Sequence, residues 1–156
     1  METINGLPAH PLFVHAPVVL MPLTLIAMMV LAARPQLRRR SGLALAAAAL
    51  VVLLSTQLSI MSGDAFDEAL DGAVNVDDHA DLAQTTRNFL VVFVLAATGF
   101  AVLDRKNSEG APRWYGPTST GLVAVAAVSS LLATVWMVRT GDEGARLVWD
   151  NLLTTS

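Results

Sequence analysis

Apolar residues run along the chain in four long blocks, at about 12–33, 42–62, 84–103 and 118–138, with short polar segments between them. About 20 apolar residues at about 1.5 Å each cross roughly 30 Å of hydrocarbon, so each block predicts a transmembrane helix. The third block is short if counted from Asn88. It reaches the needed length from Gln84, with Arg87 extending its side chain to the headgroups. No basic segment precedes the first block and no small-x-small site follows it, so a membrane helix is expected there, not a cleaved signal peptide. The predicted fold is all-α: a single integral membrane domain over 1–156, built as a bundle of four transmembrane helices in two hairpins, with an acidic external loop at 63–83.

Composition supports this reading. Apolar residues make up 54% of the chain and charged residues 15%, against about 25% charged in an ordinary soluble domain. Cysteine is absent, which excludes disulfides, thiolate-ligated metal and covalent c-type haem for this chain. The net charge of −3 hides a strong segregation. Arg34, Arg38, Arg39 and Arg40 fill the first connection, and Arg105, Lys106 and Arg113 the third. The second connection carries Asp64, Asp67, Glu68, Asp71, Asp77, Asp78 and Asp81 with no basic residue before Arg87. Basic connections stay in the cytoplasm, so the expected topology is out-in-out-in-out with both termini external. Nucleic-acid binding has no basic face to support it. No nucleophile motif with a positioned base is visible, so a soluble-type hydrolase is not expected. A transporter is a poor fit, because the apolar cores of the blocks contain no acidic or basic residue and a path would require a homo-oligomer.

The helices need close contact, since apolar burial does not drive association in lipid. Ala44 and Ala46–Ala49 in the second block, with Ala124, Ala126, Ala127, Ser129 and Ser130 in the fourth, supply small residues. Thr56, Gln57 and Ser59 are expected to bond across helices, and Trp114 and Tyr115 to lie in an interfacial aromatic belt. An echo joins the hairpins. Leu53-Leu54-Ser55-Thr56 precedes Gly63-Asp64 by six residues, and Leu131-Leu132-Ala133-Thr134 precedes Gly141-Asp142 likewise. A parallel duplication would place the two Gly-Asp exits together at the external face, with both helices ending there.

The segment richest in candidate chemistry runs from Gly6 to Pro17. Pro11 suits a first helical turn with His10 just outside it, while Pro17 and Pro22 free backbone carbonyls within the helix. Apart from Arg87 at the edge of the third block, His15 is the one titratable side chain within the apolar spans, and such a residue is a functional-site hypothesis. The third histidine, His79, stands in an acidic run at the expected capped start of the third helix. From the helical rise, His15 lies about 5 Å below the interface and His79 about 7 Å above it. That offset, on the order of 12 Å, is wide for one zinc ion but compatible with haem, which takes axial ligands from opposite faces. His10 and His79 lie at similar height and could share a metal with Asp77, Asp78 or Asp81. Each of these residues also has an ordinary structural reading: His10 as a cap, His15 as a partner of a neighbouring helix, the acids as a solvated loop.

Gly6, Pro8, His10, Pro11, Val14, His15 and Pro17, read as Gly-x-Pro-x-His-Pro-x-x-Val-His-x-Pro, resemble the opening of a family of small bacterial membrane proteins of unknown function with four transmembrane helices. Further matches are Ser62-Gly63, His79 after an acidic loop, Thr140-Gly141 and Gly144-Ala145-Arg146-Leu147-Val148, so the likeness spans nearly the whole chain. Relatives joined to Rieske or cytochrome c modules imply a membrane redox or haem role, in a bacterial inner-membrane protein. Where relatives carry histidines around the terminal glycine motif this chain has Asp142 and Asn151, so a site here would rest on His10, His15 and His79.

Two functions follow. In one, the chain is a haem-b- or metal-binding membrane subunit with His15 and either His79 or His10 as ligands, passing electrons to an external redox protein or a quinone. In the other, it is a structural or assembly subunit without cofactor, whose acidic loop docks a basic external partner.

Overall fold

The computed structural model describes the backbone of residues 3–4, 7–70, 76–106 and 112–154, and the side chains of 13–65, 67–68, 76–106, 112–147 and 149. A two-residue antiparallel pairing of β1 (Thr3–Ile4) with β2 (Leu7–Pro8) precedes four helices: α1 (Ala9–Ala33), α2 (Pro35–Leu70), α3 (Asp77–Lys106) and α4 (Tyr115–Thr154). All four are long and apolar enough to cross a membrane. Packing runs α1 on α2, α2 on α3, α3 on α4 and α4 back on α1, which closes a ring. The α3–α4 interface is the most extensive and the α1–α4 interface the least. The α1–α2 and α3–α4 connections share one end of the ring, here the basic end; the start of α1 and the α2–α3 connection share the other, the acidic end.

The helices are longer than the apolar blocks. At about 1.5 Å per residue, the 36-residue α2 and the 40-residue α4 measure roughly 54 and 60 Å, well beyond the roughly 30 Å of hydrocarbon. The stretch expected as a loop at 63–83 is therefore largely helix, with α2 running to Leu70 and α3 starting at Asp77. Neither α2 nor α4 ends at its Gly-Asp pair as expected, and the two helices lie across the ring from each other. A lone helical glycine costs only about 1 kcal/mol relative to alanine, too little to stop a helix without a proline or a cap. The first connection shrinks in the same way: only Arg34 separates α1 from α2. Pro35 disfavours helix at Arg34 and suits the first position of the next helix. Arg38 then turns back from α2, its Nε donating to Leu31 O and its Nη2 to Ala32 O, both at 2.9 Å, which satisfies carbonyls left open at the end of α1.

Inside the ring the buried positions recur at alternating steps of three and four. They are Met21, Thr24, Met28 and Leu31 on α1 and Gly42, Leu45, Ala49, Val52, Thr56 and Ser59 on α2. On α3 they are Thr86, Leu90, Phe93, Ala97, Phe100 and Asp104, and on α4 Ser119, Val123, Ala126, Ser130, Ala133 and Met137. This is the 3.5-residue repeat of helices packed knobs-into-holes. Outward positions carry larger aliphatics such as Leu23, Ile26, Leu95 and Val138. No span has more than 39% of its most apolar window buried, and the exposed remainder is largely aliphatic.

The buried hydroxyls correct one expectation. Thr56 donates to Val52 O at 2.9 Å and Ser59 to Ser55 O at 3.0 Å, both within α2. Thr24 and Ser130 do the same on their own helices. The carbonyl one turn back is always within reach, so the bond forms without fixing a neighbouring helix. Close approach is instead set by small residues. A Cβ on Gly42 would lie 3.0 Å from Ala101 Cβ, 3.2 Å from Ala101 Cα and 3.3 Å from Phe100, so α2 and α3 touch there nearly backbone to backbone. Gly42→Val is expected to lower the stability of the detergent-purified protein by about 1–3 kcal/mol, read as a fall in the thermal unfolding midpoint. Gly121→Ala, where an added Cβ meets nothing within 4 Å, should not lower the midpoint and should raise it slightly, by the helical preference of alanine over glycine. Equal midpoints for the two variants would contradict this packing.

Candidate functional site

The acidic end of the α3–α4 seam holds the most unusual side chain in the structure. Asp77 and Asp78 occupy the first turn of α3, where carboxylates oppose the positive end of the helix dipole, and Ala80 N donates to Val76 O at 2.9 Å. Asp77, Asp78 and Asp81 are exposed, but His79 is half-buried. Helical spacing explains the difference. His79 stands seven residues before Thr86 and so continues the inward row. Gly144 stands seven after Met137 and continues the matching row of α4. The two meet: a Cβ on Gly144 would lie 2.9 Å from His79 Cε1 and 3.2 Å from Nδ1. In this position of the imidazole a side chain at 144 would crowd the ring, which would have to shift to make room. Its Nδ1 is buried with no hydrogen-bond partner, a cost of about 1–3 kcal/mol for a polar atom withdrawn from water.

Below this rung, Thr86 Oγ1 and Thr140 Oγ1 lie 3.4 Å apart. Phe89 and Trp136 pack with ring centroids 5.5 Å apart and planes tilted by 60°, and the Arg139 guanidinium sits 5.3 Å from the Trp136 centroid. These contacts tie the two helices together where they leave the apolar region.

His15 is exposed on α1, a helix across the ring from α3. His10 falls in the first turn of α1 and not outside it, and its side chain lies outside the described residues. Among the described residues, no three His, Asp or Glu side chains converge as metal ligands would. Asp142 is on the outer surface of α4, paired with Arg146 at 3.0 Å; the side chain of Asn151 is outside the described residues.

A second polar cluster lies at the basic end, where sequence reasoning saw only a loop. Asp104 is 7% exposed and belongs to the inward row of α3. Its Oδ1 accepts from Tyr115 Oη at 3.0 Å and from Ser119 Oγ at 2.5 Å, both on α4. An acidic residue one position beyond the expected third block is thus buried between α3 and α4. Tyr115 turns inward to bond it, while Trp114 remains 57% exposed as a belt residue would. The missed signal was the antiparallel pairing itself, which sets the end of α3 against the start of α4. Asp104→Ala removes the acceptor from two hydroxyls and should cost about 1–3 kcal/mol. Asp104→Asn, which keeps an acceptor oxygen, should recover at least half of that loss in the thermal midpoint, and a full loss in both would show that the charge matters more than the bonds.

A ring of four helices, each long and apolar enough to cross a membrane, defines an integral membrane protein. Residues 6–156 match the family described as "Predicted membrane protein (DUF2231)", and the chain belongs to it. No curated protein and no solved structure matches the chain at a significant level.

Proposed function

We propose that the chain is a redox-associated membrane subunit that binds haem b through His79, at an end of the bundle that faces the outside of a bacterial cell. The observation that carries this reading is the orphaned Nδ1 of His79 against Gly144. A buried nitrogen without a partner fits an axial ligand, and haem needs only one or two imidazoles where structural zinc takes four ligands. His79 would hold the iron, with His15 or His10 as the second donor. The metal alternative, His10 and His79 with Asp77, Asp78 or Asp81, fits less well, because the three carboxylates are exposed while His79 turns inward. When bound, haem supplies one-electron transfer, here toward an external redox protein or a quinone. The chain's own contribution is the seat: Gly144 clears space for the ring, and the α3–α4 contacts below keep it in place.

The test is an absorption spectrum, oxidised and dithionite-reduced, of protein purified in mild detergent from cells supplied with a haem precursor, with metal analysis of the same sample. Stoichiometric b-type bands are expected, abolished in His79→Ala while the protein stays inserted and folded. Loss in His15→Ala as well would name the second ligand. A colourless, metal-free, folded wild-type preparation sinks the proposal.

A second reading is favoured by the exposure of Asp64, Glu68, Asp78 and Asp81 at the same end. In it, the chain is a structural or assembly subunit whose acidic surface docks a basic partner. Both readings place the acidic end outside. The chain has no cysteine, so single cysteines report topology cleanly: Glu68→Cys should react with a membrane-impermeant maleimide in intact cells and Lys106→Cys only after lysis. The reverse pattern would invert the topology.

A further inference from the structure

The two ends of the bundle treat their cations differently. At the acidic end, each of the three arginines has a partner within the chain: Arg87 Nη2 donates to Asn88 Oδ1 at 3.5 Å, Arg139 lies over Trp136, and Arg146 pairs with Asp142. At the basic end, Arg38 is spent on the carbonyls of α1. Arg34, Arg39, Arg40, Arg105, Lys106 and Arg113 are all exposed, and among the described residues none of them forms an ion pair. Asp104, the described carboxylate at that end, is buried and bonded by two hydroxyls, which leaves it turned away from the surface cations. The exposed Trp114 ring marks the headgroup level among them.

We infer that this basic end is a docking surface for the phosphate headgroups of anionic phospholipids. Neighbouring helices of the ring pack about 8–10 Å apart, a spacing comparable to the Debye length of about 8 Å at physiological ionic strength. The six cations therefore act as one positive field where the apolar spans meet the headgroups. Arginine presents a planar fork that matches two phosphate oxygens, and the collar consists of arginine at five of its six positions. The free donors of these side chains are what a phosphate diester would satisfy.

The test adds dioleoyl phosphatidylglycerol, dioleoyl phosphatidylcholine or inorganic phosphate, at equal concentration, to the full chain in a neutral detergent. Native mass spectrometry counts retained lipids, and the thermal midpoint is read in parallel. Retention of phosphatidylglycerol at least fivefold above phosphatidylcholine is expected, with a raised midpoint, and with the preference lost in 1 M NaCl. Replacing Arg39, Arg40, Arg105 and Arg113 by Gln should abolish the preference. The double variant Arg40→Gln, Arg113→Gln should reduce it in case the fourfold one does not fold, and Arg87→Gln at the other end should leave it intact. Equal retention of the two lipids, or a preference indifferent to the double variant and to salt, overturns the inference. If inorganic phosphate raises the midpoint as much as phosphatidylglycerol does, the site is one for free phosphate and the lipid assignment is wrong.

Discussion

Hydrocarbon offers a peptide group no hydrogen bond, and the shape of this chain follows from that deficit. Every backbone N–H and C=O at membrane depth must find its partner inside the segment, which leaves helix as the form available to a chain of this length. The same need explains details that would be incidental in water. Buried threonines and serines turn to carbonyls of their own helix. Arg38 reaches back across the tight α1–α2 turn to the last carbonyls of α1. Helices run past the apolar boundary until a sequence signal stops them, because ending inside or at the edge of the membrane would expose unpaired groups.

Backbone satisfaction makes helices but does not assemble them. Lipid is as apolar as leucine, so the ring depends on how closely its surfaces fit and on the few polar bonds that cross between helices. The 3.5-residue rows fill the inside with alanine, serine, threonine and a few phenylalanines, and Gly42 brings α2 almost onto the backbone of α3. Polar ties concentrate in the second hairpin. Asp104 with Tyr115 and Ser119 latches its basic end, and Thr86 with Thr140 lies toward the other. The α3–α4 pair is accordingly the most extensively packed, and α1 closes the ring with its smallest interface on α4.

The membrane character, the number of helices and their order were legible because they depend on block length and composition alone. The inner face was not, because a lipid-facing surface is as apolar as a core, and the usual contrast between apolar and polar faces vanishes. What distinguishes the inside is side-chain size and small hydroxyls: Gly42, Ala49, Thr56 and Ser59 are inside while Leu43, Leu50 and Leu54 are outside. Helix ends were misjudged for a related reason, since hydropathy marks where the bilayer ends and not where the helix does. Asp104 was passed over because Arg105 and Lys106 beside it suggested a loop. His79 was singled out for its chemistry, but its contact with Gly144 depends on register between helices 65 residues apart in the chain, which no local pattern carries.

That rung has two local costs that packing alone does not explain. Glycine within a helix is destabilising by about 0.5–1 kcal/mol relative to alanine, and Gly144 is one turn from neither end of α4. A buried imidazole nitrogen without a partner adds its own desolvation. An alanine at 144 facing a leucine at 79 would continue the rows with neither cost. Among the described residues the other buried side-chain polar atoms have partners on their own helix or on a neighbouring one, so the lapse at this rung is not a general looseness of the interior. Sequences tend to break their own local rules where something other than stability is being served. Here both departures meet at one contact, the His79 imidazole against Gly144 in the α3–α4 seam.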